Sequence, residues 1–154
     1  LSNCVRTKAF FIIFWPGLIW SKNRMRRPMN GEWLDVLNRL RNLRPDWNGD
    51  AADPPTGATL RMSEAFLKNI PPGRRYPDEI WPDGDGCVCM EWKTGPFTTN
   101  LIVDGKRLHM IEESGDKTER RIDERQYRLG VLDPDVISLI PLCLPAPDNT
   151  PSRP

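Results

Sequence analysis

From Met29 onward the apolar positions fall into two periods, first helical and then alternating. Trp33, Val36, Leu37, Leu40 and Leu43 recur every three or four residues, which predicts an amphipathic helix from about Gly31 to Leu43. Asn30 is placed to cap it. Glu32 in the first turn and Arg39, Arg41 and Arg44 near the end suit the helix macrodipole. Arg44-Pro45 ends the segment, because the residue before a proline is driven out of the helical region. A second helix is predicted from a Thr56 cap to about Asn69, burying Leu60, Ser63, Leu67 and Ile70 with Met62 and Phe66 alongside. Pro71-Pro72-Gly73 stops it.

Beyond Tyr76 the pattern reads as strands. Tyr76 to Trp81 is expected to be a short strand, followed by the turn Pro82-Asp83-Gly84-Asp85-Gly86. Cys87 to Lys93 then alternates, with Val88, Met90 and Trp92 on one face and Cys87, Cys89, Glu91 and Lys93 on the other. Thr94-Gly95-Pro96 turns the chain into a strand whose apolar face is Phe97, Thr99, Leu101 and Val103. Asp104-Gly105 is the strongest hairpin dipeptide present, and Leu108 and Met110 continue the apolar face over Lys106 to Glu113. The charged run from Lys117 to Arg128 reads as a polar edge strand. Asp133 can cap a last short helix with Pro134 at its first position and Val136, Ile137, Leu139 and Ile140 on its apolar face. The fold class is therefore α+β: two N-terminal helices, an antiparallel meander of about four to five strands and a short C-terminal helix, with the helices on one face of the sheet.

At 154 residues the chain is long enough for one domain with a real core. We expect that domain at residues 30–144 and a disordered, proline-rich tail at 145–154. Residues 1–29 differ in kind. They hold six of the 22 basic residues and no acid, which leaves the body with a net charge of about −5 despite the overall +1. An acidic body argues against general nucleic-acid binding. Phe10 to Trp20 is apolar but broken by Pro16-Gly17, and too short for the roughly 20 residues that span a bilayer. Ser21-Lys22-Asn23-Arg24 offers no cleavage site for a signal peptide. The extension is read as dispensable or untranslated, with Met25 or Met29 as the working start. Membrane contact is expected only if these residues are in the mature chain.

The loop Pro45-Asp46-Trp47-Asn48-Gly49-Asp50-Ala51-Ala52-Asp53-Pro54-Pro55 places a large aromatic among turn formers. Trp47 is expected to bury its indole and fasten the loop to the core, with Gly49 supplying the turn, and Trp92 is expected to be a second interior anchor. This loop, the Pro-Pro step into the second helix and the strand motif Met90-Glu91-Trp92 resemble a widespread set of small bacterial proteins of unknown function. Those proteins typically read Asn-Trp-Asp-Gly-Tyr-Gly-Ala at the loop and Leu-Glu-Trp on the strand. The resemblance covers about residues 30 to 113 and implies a bacterial, cytoplasmic domain without supplying an activity. Trp47 and Gly49 match, whereas Asn48, Asp50 and Ala51 depart from the pattern.

Candidate chemistry is thin. Cys87, Cys89, Cys143 and His109 are zinc-ligand types, but Cys87-x-Cys89 lacks the two-residue gap of a zinc knuckle, so no metal and no cofactor is expected. Four cysteines at scattered positions do not form a disulfide framework, which favours a reducing compartment. Glu91, Glu112 and Glu113 are what solvated strand faces ordinarily carry, and Gly84-x-Gly86 has no helix after it to cradle a phosphate. The reading is a small cytoplasmic, non-catalytic protein-binding module, such as an antitoxin, an immunity protein or a mobile-element accessory. Its candidate interaction residues are Glu91, Asp46 and Asn48. Two other readings stand beside it: an enzyme using strand carboxylates or thiols, and a peripheral membrane protein anchored by residues 10–20.

Overall fold

The computed structural model describes residues 32–143 except Asp116 and Leu129. The expectations for residues 1–29, for the Asn30 cap and for the tail at 145–154 fall outside that range. Within it the chain forms α1 (Glu32–Arg41), α2 (Gly57–Lys68), β1 (Glu79–Pro82), β2 (Val88–Thr94), β3 (Phe97–Asp104), β4 (Arg107–Ser114), β5 (Lys117–Gln126) and α3 (Pro134–Leu139). The five strands make one antiparallel sheet in chain order, an α+β fold.

Helix α1 stops short of the Leu43 expected from its apolar period. The amides of Asn42 and Leu43 donate to the carbonyls of Arg39 and Leu40, a tighter closure that ends the helix before Pro45 is reached. Helix α2 starts as its sequence signals: Thr56 is extended and its hydroxyl accepts from the Thr59 amide at 3.1 Å. At the start of α3, Asp133 accepts from the Asp135 amide and Pro134 occupies the first turn.

The sheet begins later than Tyr76. Pro77 cannot donate a ladder bond, and Tyr76 instead stacks on Trp33 of α1 with centroids 6.5 Å apart. The amide of Asp78 opens the pairing by donating to the carbonyl of Glu91 at 2.7 Å. Two-residue turns join β2 to β3 and β3 to β4, with Gly95 and Gly105 at their first positions, and Gly115 follows β4. Gly105 has φ of +57°, the conformation a hairpin demands there and an L side chain resists. Asp104 is thus the last residue of β3, paired with Arg107, rather than part of the turn.

Register places Val88, Val103 and Leu108 in one row and Ile80, Met90, Leu101, Met110 and Ile122 in the next. All of these but Ile122, which is half-buried and packs against them, join Trp33, Leu37, Leu40, Leu60, Phe66, Leu67, Val136, Leu139 and Ile140 in a single core cluster, so all three helices serve the same face of the sheet. Trp92 is completely buried in it. Phe97 is the exception to its predicted apolar face: at the first position of β3 it is 39% exposed.

Candidate functional site

The loop from Asp46 to Pro55 is held from within. Asp46, at φ of +62°, donates its amide to Ala52 O at 2.8 Å, and its carboxylate accepts from the Ala51 amide at 2.8 Å. The side-chain oxygen of Asn48 accepts from the amides of Asp50 and Ala52. Gly49, at φ of +74°, donates to Asp46 O. Asp46 and Asn48, read from sequence as interaction residues, therefore spend acceptor capacity on the loop itself.

Trp47 does not enter the core. It is half-buried, stands outside the core cluster and donates its indole N–H to Asp53 O at 3.3 Å, a bond that closes the loop on its own backbone. Ala52 and Pro55 are the loop's buried residues. The loop is fastened elsewhere: Asp53 donates its amide to Gly84 O at 2.8 Å, and Asp53 and Asp85 form a parallel bridge. The Trp loop and the Pro-Asp-Gly-Asp-Gly turn thus lie side by side, a contact that no local sequence signal announces. Gly86 suits this turn because its φ of +80° is a conformation an L side chain resists.

Trp92 is an interior strut. Its indole N–H donates to Arg75 O at 2.9 Å, and its ring meets Phe66 edge-on with centroids 6.4 Å apart. Arg75 in turn forms a two-pronged pair with Asp78 at 2.6 and 2.9 Å and donates to Lys93 O. Asp78 accepts from the Lys93 amide at 2.8 Å.

The outer face of the sheet carries the other set of strand residues. Trp81, Cys89, Ile102 and His109 share one row, and Glu91, Asn100, Ile111 and Arg121 the next. Trp81, Ile102 and Ile111 are half-buried and lie outside the core cluster. Cys89 and His109, 7% and 8% exposed, are deeper in that face. Glu91 pairs with Lys93 at 2.6 Å, and its carboxylate raises the pKa of the Lys93 ammonium, which also reaches Glu79 at 3.3 Å.

These positions decide the chemistry. Cys89 and His109 flank Ile102 in their row, two strands and so roughly 10 Å apart, too far to share an ion bound at about 2.0–2.3 Å. Among the described residues no three His, Cys, Asp or Glu side chains converge on a common point. The Cys89 thiol is pushed well up by burial, then by the neighbouring Asp83 carboxylate and Cys87, so it stays protonated and weakly nucleophilic. His109 Nδ1 accepts from the Glu124 amide at 3.4 Å, where β5 bulges. Glu112 is occupied by a two-pronged pair with Arg120 at 2.8 and 3.0 Å, which raises the guanidinium pKa further.

Between β5 and α3 lies an open groove of about 670 Å3, with Ile122 and Leu139 in its lining and Arg120, Arg125 and Asp135 around them. Arg125 approaches Asp135 at 3.4 Å and Asp133 at 3.9 Å across it. Among the described residues no helix is long and apolar enough to cross a membrane. Comparison with family models, with curated proteins and with solved structures finds no match to the chain.

Proposed function

We propose that the chain is a small, non-catalytic protein-binding module that engages a protein partner through the outer face of its sheet. The observation that carries this is the division of the strand residues. One face is consumed by three helices, while the other presents half-buried Trp81, Ile102 and Ile111 between the paired charges of Glu91 and Lys93 and the polar side chains of Thr98 and Asn100. Large amphipathic side chains such as Trp, bordered by polar groups, are what interface centres are enriched in. A thiol held neutral and a Glu91 carboxylate already committed to Lys93 weigh against nucleophilic or acid–base work on the same face. Free thiols at Cys87 and Cys89 fit a reducing, cytoplasmic setting. An antitoxin, an immunity protein or a mobile-element accessory would use such a module.

The test is co-isolation from the native host at native abundance with wild-type chain, Trp81→Ala and Ile102→Glu. One stoichiometric partner is expected with wild type, and both substitutions should release it while the helical and sheet signals in circular dichroism persist. A partner retained equally by both variants, or none at all with wild type, refutes this reading.

A further inference from the structure

Strand β5 closes the sheet, and beyond β4 no described strand pairs with it. Its outer edge therefore offers backbone N–H and C=O groups to another strand. Ten residues make it longer than most strands, and no proline interrupts it. Charge is the usual shield for such an edge, and seven of these ten residues are charged. The order of the signs carries the inference. About Ile122 they invert position by position: Arg121 mirrors Asp123, Arg120 mirrors Glu124, and Glu119 mirrors Arg125.

We propose that β5 pairs antiparallel with β5 of a second copy of this chain, about a two-fold axis at Ile122. Ile122 of each copy meets the other at the axis, and Arg121 of each faces Asp123 of the other. A symmetric pairing that keeps the helices of both copies on one side must set some residue opposite itself, because directly opposed residues share a face. Moving the axis one residue back sets Arg121 against Arg121. Moving it one residue forward sets Asp123 against Asp123. Like charges directly opposite destabilise a strand pair, so the sign pattern selects the Ile122 register over both neighbours.

The surroundings are compatible. The open groove between β5 and α3 leaves room beside Ile122 for inward-pointing side chains of an added strand. Arg120, Arg121 and Arg125 already have carboxylate partners within the chain, but each of these arginines is half exposed. Such exposed pairs contribute little to stability, and exchanging one carboxylate for another costs little. The β4–β5 ladder is irregular between Leu108 and Met110 and again between Glu112 and Glu113. Unbroken β4–β5 pairing on β5 is confined to Arg120 through Ile122, with Asp123 and Glu124 in the bulge, so the stretch paired with a second copy is short and centred on Ile122, and Asp123 and Glu124 meet Arg121 and Arg120 through side-chain reach. A weak, concentration-dependent dimer follows, with a ten-stranded sheet whose outer face repeats Trp81, Ile102 and Ile111. This edge is separate from the face assigned to a protein partner, and the two readings stand or fall independently.

Two charge-reversed chains test it: an acidic-edge form, Arg120→Glu with Arg121→Glu, and a basic-edge form, Asp123→Lys with Glu124→Lys. Sedimentation equilibrium of the purified chain over about 1 to 500 μM should show a monomer–dimer equilibrium for wild type. Each variant alone should associate at least roughly tenfold more weakly, and an equimolar mixture should regain association as a heterodimer. Circular dichroism identifies a variant that fails to fold, and Arg121→Glu alone then replaces it. A wild-type chain that stays monomeric throughout the range overturns the proposal. So do folded variants that dimerise as wild type does, or whose mixture stays monomeric.

Discussion

Trp92 on β2 donates its indole N–H to the carbonyl oxygen of Arg75 at 2.9 Å, joining the fully buried centre of the sheet to the segment that leads into β1. The same Arg75 holds Asp78, and Asp78 holds the amide of Lys93, so one tryptophan and one ion pair fix where the first two strands meet.

Removing that indole should be costly in a specific way. Trp92→Phe keeps an aromatic against Phe66 but leaves Arg75 O without its donor and a void beside it. We expect a loss of about 2–4 kcal/mol in urea unfolding, from the unpaired acceptor and the lost volume together. Trp81→Phe, on the outer face, should change stability by less than about 1 kcal/mol.

The Arg75–Asp78 pair makes a second case. Asp78→Asn keeps the shape but removes the charge from a two-pronged pair that is largely shielded from solvent. A loss of about 1.5–3 kcal/mol is expected, the range for hydrogen bonds to charged groups. Amide exchange should quicken at Lys93, whose N–H loses a charged acceptor.

Much of this architecture was legible in the sequence, for physical reasons that also explain the misses. Val88, Met90 and Trp92 announced their burial because strand side chains alternate and only one face has helices to meet. Thr56 and Asp133 announced helix starts because capping is local chemistry. The first strand was misplaced because Tyr76 looks like a strand residue, whereas its partner, Trp33, lies far away in the chain. Trp47 departs from the expected core anchor for a related reason. An indole among turn formers suggests a core anchor, yet here the fastening is the backbone bond from Asp53 to Gly84, and backbone bonds leave no mark on residue identity.

The loop's internal bonds set how it responds to substitution. Gly49→Ala forces a side chain into φ of +74°, where an L residue costs about 1 kcal/mol. Asn48→Ala removes the acceptor of two loop amides and should cost a similar amount. Trp47→Ala, taking away only a half-buried indole, should cost less than Trp92→Ala by at least about 2 kcal/mol. Parallel urea titrations of the four variants check the order.

The thiols separate by burial. Cys143 is exposed and should react with a disulfide reagent at neutral pH well before Cys87 and Cys89, both of which are buried. Alkaline stability provides an independent readout. Burial holds the Cys89 proton in the native chain, whereas the unfolded chain releases it above the ordinary value of 9.0. The native state then binds more protons, and stability falls as pH rises past about 9, by up to about 1.4 kcal/mol per pH unit for this group. Cys89→Ala should flatten the alkaline limb of stability against pH, and an unchanged slope would count against the buried thiol.

The face of the sheet that carries Ile102 and Ile111 is the centre of the functional account, and site-specific photocrosslinking in living host cells addresses it directly. A photoreactive residue at Ile102 or Ile111 should yield a single discrete adduct with one partner protein, and the same residue at Lys68 on α2 should yield none. Adducts from Lys68, with the two sheet positions silent, would contradict the account and move the binding surface to the helices.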